Sequence, residues 1–121
     1  MTNPHGSWRN LLPLERAALQ RLLAVNFHGS EEVWRQLEEC VVREIDDNGS
    51  LEIAVPTARP RALVSSRVPA EGEYQDSDGV TVHVLLHVVE GVVKELELYK
   101  EDGTTVQDSD GIAEMEAFSG E

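Results

Sequence analysis

The chain has 121 residues, 40% hydrophobic and 27% charged, with a net charge of −13. That size and composition suit one soluble domain that buries roughly two thirds of its unfolded surface. They exclude a multidomain enzyme, a transmembrane helix of ~20 apolar residues, a coiled coil and a disulfide scaffold.

Residues 1–9 read as a loose tail with no signal-peptide pattern. Pro13 suits the first turn of a helix, and Leu14, Ala18, Leu19, Leu22, Leu23 and Val25 follow at helical spacing, which predicts a first helix over 13–25. Gly29 ends the connection. Ser30 is a good N-cap, Glu31 and Glu32 favour the positive helix end, and Val33, Trp34, Leu37, Cys40 and Val41 mark a second helix over 31–40. Cys40 falls on that apolar stripe and reads as a buried small hydrophobe. A lone cysteine fits a reducing, cytoplasmic location. Trp34 belongs to the core or its margin. Trp8, in the tail, either clamps the first helix or marks a contact surface.

The period then changes to two. Val41 to Ile45 and Leu51 to Val55 alternate around a turn. A three-residue Asp47-Asn48-Gly49 loop sets Ile45 opposite Leu51 and Val41 opposite Val55, apolar against apolar. Pro56, Pro60 and Pro69 confine residues 57–69 to an edge strand or a crossing. Val89-Glu90-Gly91 joins strands at 80–88 and 92–100, placing Val84 opposite Leu96. Glu101-Asp102-Gly103 turns the chain toward 104–107, so three loops with glycine third argue for an antiparallel meander. The acidic segment 108–121 forms a short helix or a last strand around Ala113 to Phe118. The expected fold is therefore α+β: two N-terminal helices packed on a mainly antiparallel sheet of about four to six strands, within a single domain over residues 1–121. The expected core includes Leu19, Leu22, Leu23, Val33, Leu37, Ile53, Val82, Val84, Leu86, Leu96 and Leu98.

Chemistry is sparse. Asp76-Ser77-Asp78-Gly79 recurs as Asp108-Ser109-Asp110-Gly111, but neither copy has the end ligands of a calcium loop, so both read as turns. His83 and His87 lie on one strand about 13 Å apart, too far to share an ion. Both sit on one face with Leu85 between them. The hairpin register sets Glu97 opposite His83, Glu95 opposite Leu85 and Val93 opposite His87, and Tyr99 continues that face. His83, His87, Glu95, Glu97 and Tyr99 are thus the candidate binding residues. No catalytic constellation, metal site or cofactor motif is expected.

The layout resembles small uncharacterised bacterial, mainly actinobacterial, proteins. The residues that carry the likeness are Leu22-Leu23, Phe27-His28-Gly29, Trp34-Arg35-Gln36-Leu37, Val68-Pro69-Ala70-Glu71, Asp78-Gly79 and Gly91…Glu95-Leu96-Glu97-Leu98-Tyr99, across residues 11–103. The resemblance implies no established function. A Cys-rich segment of such relatives has no counterpart in Glu44 to Ser50, so it implies no metal or redox chemistry here.

Charge is the remaining functional signal. Residues 70–121 hold Lys94 and Lys100 against 14 acids, a net of −12. Such a surface repels nucleic-acid backbones and attracts basic proteins or cations. The expectation is a non-enzymatic module that binds a basic protein, such as an immunity-type inhibitor of a basic toxin or nuclease. The alternatives are a small-molecule binder or a small enzyme using the His83/His87 face. No membrane association is expected, and an edge strand offers a route to a homodimer.

Overall fold

The computed structural model describes residues 6–56 and 60–121. Helix α1 spans Pro13–Leu23 and α2 spans Ser30–Leu37. Six strands follow: β1 (Val41–Glu44), β2 (Leu51–Ala54), β3 (Ala70–Gln75), β4 (Thr81–Val89), β5 (Val92–Lys100) and β6 (Glu116–Ser119), the last preceded by a 3-10 turn at Ser109–Glu114. They form one antiparallel sheet in the order β1-β2-β5-β4-β3-β6, so the fold is α+β as expected. None of the described helices is long and apolar enough to cross a membrane.

Alternation explains how the sheet divides its residues. Along β4, Val82, Val84, Leu86 and Val88 are buried, while Thr81, His83, Leu85, His87 and Val89 are only half-buried. The buried set joins Leu96 and Leu98 of β5, Ala18, Leu19 and Leu22 of α1, and Val33 and Leu37 of α2 in one core. Both helices therefore lie on one side of the sheet, and no described helix or strand covers the other side. Every expected core residue is buried except Leu23, which packs at the margin. Cys40 is buried as expected, and burial pushes its thiol up.

The helix starts differ in chemistry. Pro13 opens α1, and Glu15 accepts the Leu12 N–H at 2.9 Å while pairing with both Arg9 guanidinium nitrogens at 2.8 and 2.9 Å. α2 begins one residue earlier than expected, because Gly29 takes the capping position with φ of 92°. It also ends at Leu37, and Gln36 rather than a further apolar side chain fills the inner face. The buried Gln36 donates to the carbonyls of Pro60 and Gly91 at 2.8 Å each and accepts the Val93 N–H at 2.9 Å. It thereby ties α2 to the end of the β4–β5 hairpin.

Both hairpin registers differ from expectation. In β1–β2, Val42 faces Ile53 and Ile45 bonds to Ser50, a shift of one residue that buries Val42 rather than Val41. The cause is Asp46, whose carboxylate accepts the Asn48 and Ser50 N–H groups at 2.9 and 3.1 Å and so closes a four-residue turn. In β4–β5, Glu90 and Gly91 both take positive φ, 51° and 81°, which makes a two-residue turn. Together with a bulge next to it, this turn makes Val84 face Leu98, not Leu96. A bulge between His87 and Val88 leaves Lys94 exposed and lets both Val93 and Leu96 point into the core.

Three expected segments take other forms. Residues 104–107 make no strand; Val106 is instead buried, its N–H held by Asn48 Oδ1 at 2.9 Å. Of the two forms expected for 57–69, an edge strand or a crossing, residues 60–69 take the second, a loop leading into β3, and residues 57–59 lie outside the described residues. Of the expected loose tail, residues 6–9 run along β1, with Gly6 N–H on Glu44 O at 2.9 Å and Arg9 N–H on Val42 O at 2.8 Å. The C-terminal segment combines a 3-10 turn with the edge strand β6.

Candidate functional site

The uncovered side of the sheet is a regular grid. In one row Arg43, Glu52, Glu95 and His87 stand across β1, β2, β5 and β4. The next holds Glu97, Leu85, Glu71 and Phe118, and the one beyond it Tyr99, His83, Glu73 and Glu116. The five residues expected to form a binding surface therefore do share one face. Their pairing is corrected by the two-residue turn and the bulge beside it, one residue each: His83 faces Tyr99 rather than Glu97, and His87 faces Glu95 rather than Val93.

The histidines are separate centres, as strand spacing requires. The His83 ring stacks on Tyr99 with centroids 5.0 Å apart, and its Nε2 lies 3.0 Å from Glu101 Oε1. His87 Nε2 lies 2.7 Å from Glu97 Oε1. Glu97 is an acceptor, so Nε2 carries the proton in this pair. The other ring nitrogen, Nδ1, is buried and has no hydrogen-bond partner among the described residues. Glu95 makes no hydrogen bond or ion pair among the described residues. Burial pushes its carboxyl up; Glu97 and Asp46 add to the rise, against the pull of His87 and Arg67.

Aromatic side chains stand around these charges. Trp8 (42% exposed), Tyr99 (41%) and Phe118 (37%) are spread across the face from β1 to β6. Trp8 does not clamp α1. Its ring lies 4.5 Å below the Arg43 guanidinium, which also donates to Glu52 at 2.8 Å. Beside it, a groove of about 520 Å³ runs between Trp8, Glu52, Ala54, Val92, Lys94 and Glu95. Trp34, by contrast, is half-buried and lines a groove between the two helices with Gln20, Leu23 and Ala24.

A second charged cluster escaped the sequence reading. Lys100 is 2% exposed at the end of β5, its ammonium 2.9 Å from Asp76 and paired also with Asp78. Asp76 accepts the N–H groups of Ser77, Gln107 and Asp108 at 2.8 Å each. Burial alone would raise the Asp76 carboxyl, but these amides and Lys100 outweigh it and hold it well below the usual carboxylate range. The first Asp-Ser-Asp-Gly copy is thus a turn, as expected, and also a clamp. The second copy is not a matching turn but the start of the 3-10 segment, where a Cβ on Gly111 would meet the Tyr74 ring at 2.4 Å. One signal for the clamp was available: Lys100 shares the inward phase of Leu96 and Leu98.

Residues 8–110 match the family described as a domain of unknown function, DUF6984. The chain belongs to this family. The match runs from Trp8 past the end of β5 and so takes in nearly the whole face, leaving β6 outside. It bears out the expected likeness to an uncharacterised family. No curated protein and no solved structure matches the chain.

Proposed function

We propose that this DUF6984 chain is a protein-binding module whose uncovered sheet face docks a basic partner. One observation carries the reading. Glu52, Glu71, Glu73, Glu95, Glu97 and Glu116 share a face with Arg43 and two histidines, and Glu101 reaches in to His83. A field of that sign steers a cationic surface into place and weakens with salt. Trp8, Tyr99 and Phe118 supply the aromatic area that anchors an interface once the charges have aligned it. The groove beside Trp8 suits a lysine or arginine side chain, with an indole to stack on and Glu52 and Glu95 to pair with.

An immunity-type inhibitor is the form of this reading in which the partner's cationic patch is the nucleic-acid cleft of a toxin or nuclease. Small-molecule binding or catalysis on the same face is the weaker reading, because His83 and His87 each commit Nε2 to a glutamate.

Carbodiimide cross-linking tests the proposal, since it joins carboxylates directly to partner lysines. In native lysate at low salt, linked peptides should map to Glu71, Glu73, Glu97 or Glu116, and their yield should fall as salt rises. Links confined to the helix side, or none at low salt, would overturn it.

A further inference from the structure

We infer that His87, Glu95 and Glu97 form a site for one divalent first-row transition ion, with zinc the best match to an imidazole and two carboxylates. This inference is independent of the docking reading. One ligand atom from each of the three residues lies within 4.8 Å of the other two. Around an ion at the usual ~2.1 Å from each ligand, donors stand ~3.4 Å apart. The widest gap therefore closes, and the His87–Glu97 contact of 2.7 Å opens, by side-chain rotation alone.

The strands supply the convergence. Glu95 faces His87 directly across the β4–β5 ladder, and Glu97 follows two residues on along the same strand. Two carboxylates thus point at one imidazole that can satisfy only one of them. Glu97 takes the Nε2 proton, and Glu95 is left half-buried beside a like charge, with Glu52 opposite it on β2. A divalent cation removes this conflict and leaves the trio neutral. Three protein ligands on an uncovered face leave further positions open to water or to a donor from a partner.

The orphaned Nδ1 of His87 sets the strength. When the ion takes Nε2, the proton moves to Nδ1, which is buried without an acceptor. Metal-binding histidines normally donate that second N–H to a carbonyl or carboxylate, and losing such support weakens binding about 10–100-fold. Affinity is therefore micromolar, not that of a structural zinc site.

The test is calorimetric titration of the full chain with zinc, paired with the visible spectrum of the cobalt-loaded protein. One ion per chain at micromolar Kd, with a cobalt spectrum showing nitrogen ligation, is the expected result. His87→Gln and Glu95→Gln should each weaken binding at least about tenfold, while His83→Gln leaves it unchanged; thermal melts confirm that each variant is folded. No saturable binding, or equal binding by wild type and His87→Gln, would overturn the inference.

Discussion

The two charged clusters of this protein stand at opposite ends of the β4–β5 hairpin and are solved in opposite ways. At the far end Lys100 is sealed from water between Asp76 and Asp78, and three backbone amides complete the Asp76 shell. Near the turn His87, Glu95 and Glu97 face outward, with a carboxylate and a ring nitrogen left over. Buried charge persists only where it is paired and hydrogen-bonded. The first cluster obeys that rule and holds the fold together. The second leaves interactions unmade where an outside group can complete them. The difference separates a cluster whose polar groups are all satisfied from one whose groups are not, and the proposed binding role rests on the second.

The comparison breaks most visibly at Lys100. Lys100→Met removes the cation and leaves Asp76 buried without its partner, while the inserted side chain keeps the length of the stem. The melting temperature should fall on the order of 15 °C. Thermal denaturation followed by circular dichroism checks this, and a fall of only a degree or two would place Lys100 among ordinary surface charges.

A smaller effect of opposite sign is expected at Glu95. Its carboxyl is raised in the folded state, so the ionised form costs stability at neutral pH, and that cost disappears as pH falls toward the ordinary carboxylate value of about 4.3. Glu95→Gln should therefore raise the melting temperature at pH 7 by about 1 °C, a gain kept small by solvent screening, and the gain should vanish near pH 4. Asp76 behaves oppositely. Its lowered carboxyl contributes stability above the ordinary value of about 3.9, which is lost as pH drops below it. Melts of wild type and Glu95→Gln between pH 3 and pH 7 separate the two regions in one series.

Much of this architecture was legible because it rests on periodicity. Leu19 and Leu22 at helical spacing, and Val82, Val84 and Leu86 at alternate positions, name the layers before any contact is known. Face membership in β4–β5 survived because the one-residue change at the turn and the one-residue bulge at Lys94 add to a shift of two, which preserves the alternation. The β1–β2 shift of one residue did not, and it exchanged Val41 for Val42 in the core. Both differences start from turn chemistry: the Asp46 carboxylate capping two amides, and Glu90 accepting a positive φ normally left to glycine or asparagine, with the bulge at Lys94 adding to the second. Buried polar residues were the hardest to read. Gln36 and Asp76 look like surface residues in the chain, since the partners that satisfy them, Ser77 beside Asp76 excepted, lie 24 to 57 and 24 to 32 positions away. The pairing of His87 with Glu95 was hidden because it depends on a register that the turn and the bulge set together.

If the sheet face docks a basic partner as proposed, its carboxylates serve that partner and not the fold. The triple variant Glu71→Gln, Glu73→Gln, Glu97→Gln addresses it most directly, measured by thermal melting at low salt alongside the cross-linking assay. The melting temperature should equal or slightly exceed that of wild type, because like charges have been removed, and the partner cross-links should be lost. A fall in melting temperature as large as that of Lys100→Met, or cross-linking that persists undiminished, would contradict it.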